Sequence, residues 1–101
     1  MAETLKQINL EFEPLSMPSL SGDAKGEAVF KKQVEPKLLE SDYENGFIIK
    51  FPDHISIIGA SFLQGFVREM VRKIGYDGIV NRVRFETSDE ELTKEVYDDI
   101  L

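Results

Sequence analysis

The chain has 101 residues, 42% hydrophobic and 31% charged, with nineteen acids against twelve bases, one histidine and no cysteine. That length suits one domain, residues 1–101, able to bury roughly 65% of the surface its unfolded form exposes. The missing cysteine excludes thiolate zinc sites, disulfides and thiol nucleophiles together, and the net charge of −7 opposes non-specific attraction to nucleic acid or anionic lipid.

The opening segment, Met1 to Phe12, has no basic region leading into an apolar run, so no signal peptide is expected. No apolar stretch approaches the length of a membrane span. The expectation is a cytoplasmic protein with neither a membrane nor a nucleic acid as its partner. Thr4 to Glu13 alternates, with Ile8, Leu10 and Phe12 on one side and Gln7, Asn9, Glu11 and Glu13 on the other, as in a half-buried strand. The next segment holds two prolines and three serines and reads as a loop, with at most a short edge strand around Met17.

From Gly22 the pattern turns helical, with Ala28, Phe30, Val34 and Leu38 as an apolar stripe and Lys25, Lys31, Lys32 and Glu35 facing water. Pro36 either kinks this helix or opens a second short one. Asp42 to Gly46 reads as a turn, and Phe47 to Phe51 as a strand with Phe47, Ile49 and Phe51 on one face, ended by Pro52.

The most strongly patterned helix follows. From Ser61 its apolar residues are Phe62, Leu63, Phe66, Val67, Met70, Val71 and Ile74, while Gln64, Arg68, Glu69, Arg72 and Lys73 face water. Ser61 with Gln64 has the spacing of a capping box, and Gly75 suits the left-handed position after the last turn. Tyr76 to Gly78 reads as a turn and Ile79 to Glu86 as a third strand, whose Val83 and Phe85 oppose Arg82, Arg84 and Glu86. A last helix is expected from Ser88, with Glu91 completing a second capping box and Leu92, Val96, Ile100 and Tyr97 facing inward.

The order is thus β-loop-α-β-α-β-α, an α/β fold in which helical crossovers join parallel strands. A sheet covered on both faces reads as continuous apolar runs, whereas these strands alternate; a two-layer fold with the helices on one face is therefore expected. The predicted core is Ile8, Leu10, Phe12, Ile49, Phe51, Phe62, Phe66, Met70, Val83 and Phe85. The open face then carries a mixed set of charges able to pair across strands.

Chemistry is sparse. His54 has no second histidine to share a metal with, and Ser61 lacks both the Gly-x-Ser-x-Gly elbow and a nearby base. The four glycines from Gly59 to Gly78 make no phosphate loop, and the acids of the last helix read as a solvated face. No catalytic residue, cofactor or metal is assigned. Arg68, Arg72, Lys73, Arg82 and Arg84 crowd 17 residues of an acidic chain, but on the predicted helix and strand faces they point to opposite sides and form no single footprint.

The stretch from Gly22 to about Val96 resembles the STAS domain of sulfate-transporter tails and anti-sigma-factor antagonists. More specifically it resembles the bacterial STAS-like family of unknown function. The pieces that carry the likeness are Gly26–Glu27 in the first helix, the strand Gly46 to Phe51, and Ile57 to Val67, in which Ser61 and Phe62 match a Ser-Ser-Phe turn at a helix start. The serine that a partner kinase phosphorylates in the antagonists corresponds here to Ala60, the aspartate before it to Gly59, and the family's usual acidic pair to Gln64 and Gly65.

What the resemblance implies is a non-catalytic regulatory module that binds a protein, an anti-sigma or histidine-kinase-like ATPase, without phosphorylation at the usual serine. The partner surface implied is Asp53, His54, Gly59, Ala60, Ser61, Gln64 and Arg68. The alternatives are a small nucleotide-binding protein or enzyme, since some STAS relatives bind nucleotides, and an oligomerising role through the open sheet face.

Overall fold

The computed structural model describes residues 5–101, so Thr4, the first residue of the expected N-terminal strand, lies outside them. The described residues form a small α/β fold with four α-helices. Its elements are β1 (Lys6–Asn9), β2 (Ser19–Leu20), α1 (Asp23–Val29), α2 (Glu40–Asn45), β3 (Phe47–Lys50), β4 (Ile57–Ile58), α3 (Ala60–Arg82), β5 (Val83–Glu86) and α4 (Glu90–Ile100).

The main sheet has the order β1-β3-β5, parallel throughout, with Ile8 level with Ile49 and Ile49 level with Phe85. Leu10 N–H to Lys50 O and Phe51 N–H to Glu86 O, both at 2.9 Å, carry the two ladders one residue further. The inner residues Ile8, Phe47, Ile49, Val83 and Phe85 are buried, while Gln7, Asn9 and Arg84 on the other face are exposed, as the alternation demands. All ten predicted core residues are buried, in one cluster with Phe30, Val34, Phe47 and Leu63. Phe66 is its hub: its ring lies 5.8 Å from that of Phe30, 5.9 Å from Phe62 and 6.1 Å from Phe51.

Several local expectations are overturned. The short edge strand allowed around Met17 forms two residues later, as β2 at Ser19–Leu20, and its parallel pairing with β4 makes a second, two-stranded sheet that was not expected. The helix after Gly22 stays α-helical only to Val29, then passes through a π turn, Phe30–Val34, and a 3-10 turn, Glu35–Lys37. Pro36 explains the exit: it has no N–H to donate, and its ring collides with the carbonyl four residues back. Ala28 is exposed, and the inward place expected of it belongs to Gly26, four residues before Phe30.

Asp42 to Gly46 is mostly helix rather than turn, because Asp42 Oδ2 accepts the Leu39 N–H at 2.8 Å and Tyr43 is drawn into the core. Gly75 does adopt positive φ (71°), yet the chain resumes a helical path to Arg82 instead of turning into a strand. That path buries Ile79 and leaves Val80 exposed, so β5 starts only at Val83. The last helix is capped by Asp89, whose Oδ1 accepts the Leu92 N–H at 2.8 Å, and not by Ser88.

The closest feature of the packing is between α1 and α3, which cross at two glycines. A Cβ on Gly26 would stand 1.9 Å from Phe62 O, and one on Gly65 would stand 2.0 Å from Asp23 O. Each helix therefore rests its backbone directly on the other. Arg68 clasps the crossing from α3, its guanidinium bonding Asp23 at 2.5 Å and Glu27 at 3.0 Å.

Candidate functional site

The turn into α3 is built by the small sheet. Gly59 N–H donates to Leu20 O at 2.8 Å, continuing the β2–β4 ladder, and Gly59 O then accepts the Leu63 N–H at 3.2 Å as the first helical bond. Gly59 is thus the residue at the helix entrance, in extended conformation (φ −71°, ψ 146°), and it offers no capping side chain. A Cβ there would sit 3.2 Å from Leu20 O, which explains why so small a residue fits.

Ser61 is consequently two positions too late to be the cap. Its Oγ accepts the Gly22 N–H at 3.2 Å, tying the start of α3 to the start of α1, and Gln64 takes part in no capping box. Ala60, Ser61 and Gln64 are all exposed on the first turn and a half of the helix. Next to them Ile57, on β4, is 59% exposed, a large apolar side chain that the alternation of a two-residue strand turns outward. No sequence signal marked it, because a two-residue strand has no readable period.

Arg68 sits differently from the surface expected of it. Asp23 and Glu27 hold it, and the hydrogen bond it donates to Asp23 is the main reason its guanidinium is still more firmly protonated than usual. Glu27 is pulled below the ordinary carboxylate range, first by Lys31 one turn away and then by Arg68. The charge of Arg68 is spent between the two helices.

Asp53 and His54 form the turn after Pro52. His54 lines a cleft of about 340 Å³ with Phe12, Leu15 and Pro52, while Gln64 and Arg68 line another, of about 400 Å³, with Val71, Tyr76 and Ile100. The His54 Nε2 is buried and, among the described residues, is the buried side-chain nitrogen left without a hydrogen-bond partner. Asp53 is exposed at the bend before it. Of the seven residues expected on one surface, Gln64 and Arg68 thus line one cleft and His54 another.

The basic residues disperse as well. Arg72 pairs with Glu69, Lys73 reaches Glu40 at 3.3 Å with its Nζ 5.0 Å from the Tyr43 ring centre, and Arg82 donates to Tyr43 O at 3.4 Å. Among the described residues no three His, Asp or Glu side chains gather as a metal site, and no helix is long and apolar enough to cross a membrane. The chain matches no family model, no curated protein and no solved structure.

Proposed function

We propose that the chain is a non-catalytic regulatory module of the STAS-like type, which presents the turn before α3 and that helix's first turn to an anti-sigma or histidine-kinase-like ATPase. The observation that carries this reading is the exposure of Ile57, Ala60, Ser61 and Gln64 side by side where β4 enters α3. The surface has an apolar point, a polar surround and a fixed backbone. Leu20 O and Ser61 Oγ hold the two strands of the turn in place, which lowers the ordering cost of binding.

The first amides of α3 receive no side-chain cap, and bare amides at a helix N-terminus suit a carboxylate offered by a partner. Ala60 has no hydroxyl at the place where the resembling antagonists are phosphorylated. Binding is therefore constitutive, or set by the nucleotide state of the partner. Arg68 contributes at a distance, by keeping α1 against α3.

The test is a calorimetric titration of the chain into each purified histidine-kinase-like ATPase of the same organism, with ATP and with ADP. One of these partners should bind, Ala60→Arg and Gln64→Arg should each weaken binding by about tenfold or more, and both variants should melt like the parent. The intact mass should not change after incubation with ATP. Phosphoryl gain on Ser61, or full binding by both arginine variants, would overturn the reading. Saturable ATP binding by the isolated chain would favour a nucleotide-binding protein instead.

A further inference from the structure

Both edges of the main sheet carry a side chain where a neighbouring strand would pair. On β5 the Tyr97 hydroxyl accepts the Phe85 N–H and donates to Val83 O, both at 3.0 Å. On the β1 side the pattern is more telling. Because Leu10 N–H points to Lys50 O, the alternate residues Gln7, Asn9 and Glu11 direct their N–H and C=O away from β3.

At Glu11 those groups are met by Gln33, whose Oε1 accepts the Glu11 N–H at 2.7 Å and whose Nε2 donates to Glu11 O at 2.8 Å. A carboxamide bound in both directions stands in for one peptide group of an absent strand. The backbone groups of Gln7 and Asn9 on the same edge meet no such partner among the described residues. Beside them runs a groove of about 440 Å³, with Asn9, Glu11 and Glu13 along the strand and Lys32, Gln33 and Lys37 opposite.

We propose that this edge receives an extended segment of a partner protein as a fourth strand, with Gln33 occupying Glu11 until that strand seats. Main-chain hydrogen bonds supply affinity in such strand addition, and alternate side chains supply specificity. The charges name the segment. By strand alternation Glu11 and Glu13 belong to the open face, whereas Lys32 and Lys37 belong to the helical layer, and none of the four is in an ion pair among the described residues. The added strand therefore alternates basic residues on the open face with acidic residues toward the helices. A second copy of this chain does not qualify, since β1 and its extension turn Gln7, Asn9, Glu11 and Glu13 to the open face and offer no cation there.

The experiment titrates a blocked heptapeptide of alternating lysine and glutamate into the isotope-labelled full chain, beside a control peptide with the lysines and glutamates in separate blocks. The alternating peptide should give saturable amide shifts at Gln7, Asn9, Glu11 and the Gln33 side chain, and the block control should not. Gln33→Ala should bind roughly tenfold tighter, since two protein bonds no longer compete. Joint Lys32→Glu and Lys37→Glu should weaken binding while leaving the melt unchanged. Absence of saturable shifts by about 2 mM peptide, equal response to the block control, or a concentration-dependent dimer whose edge amides shift without peptide would each overturn the proposal.

Discussion

Gly26→Ala and Gly65→Ala set local preference against tertiary contact with opposite signs. Alanine is the better helix former by about 1 kcal/mol, and it also restricts the unfolded chain, so both effects favour the variants. Against that, the new Cβ at position 26 falls 1.9 Å from Phe62 O, with Phe66 N at 2.8 Å. An ordinary carbon–oxygen contact is about 3.3 Å, so the helices must part by more than 1 Å. Backbone atoms cannot turn aside as a side chain would. Parting loosens Phe30 against Phe66 and lengthens both Arg68 bonds. Overpacking of this kind costs typically 1–3 kcal/mol and sometimes more.

A contact with backbone atoms belongs at the upper end of that range, so after the helix-forming gain a net loss of about 2 kcal/mol is expected at each glycine, which lowers Tm by about 8–16 °C in a domain of this size. Urea melts measure it, with Gly75→Ala as a comparison in which backbone strain acts alone, since a Cβ there meets nothing within 4 Å and only the φ 71°, ψ 173° conformation, a strain of about 1–3 kcal/mol, opposes the change. The double variant Gly26→Ala/Gly65→Ala should lose less than the two singles together, because helices already parted by one Cβ accommodate the other. Neutral or stabilised single variants would refute the backbone contact.

Ser61→Ala should lose about 0.5–1 kcal/mol by freeing the Gly22 N–H, and faster hydrogen exchange at Gly22, not at Leu63 or Gln64, would separate this from capping; Ser61→Asp keeps an acceptor and should be nearly neutral. Tyr97→Phe keeps the ring against Phe85 but strips the edge of β5, and should cost about 1–3 kcal/mol with faster exchange at Phe85. Asp42 is held below the ordinary carboxylate range, first by its hydrogen bond from Lys6 and then by the Leu39 N–H. Its stabilisation is present above the unfolded carboxylate value and fades as pH falls through the lower folded one. Asp42→Asn should accordingly flatten the acid side of the stability profile, and an unchanged acid slope would refute that role.

The strand alternation and the stripe of α3 were legible from the sequence, and with them the parallel α/β fold and the ten core residues. Each of those patterns is local and repeats within a few residues, so burial on one face leaves a period of two or of 3.6. The start of α3 was legible only roughly, and its contacts not at all. The helix expected from a Ser61 cap starts instead from Gly59, Ser61 serves Gly22 rather than its own helix, and Arg68 serves Asp23 and Glu27. The same limit hid the helical path beyond Gly75, where a single buried Ile79 sets no period.

What only the tertiary structure decided are contacts between residues far apart in the chain: Gly26 with Gly65, Glu11 with Gln33, Ser19–Leu20 with Ile57–Ile58. None leaves a repeat behind. A glycine at a helix crossing looks in sequence like a weak helix residue, and a glutamine completing a sheet edge looks like a solvated one. Their meaning depends on which backbone groups the fold brings within a few ångströms, and chain proximity does not encode that.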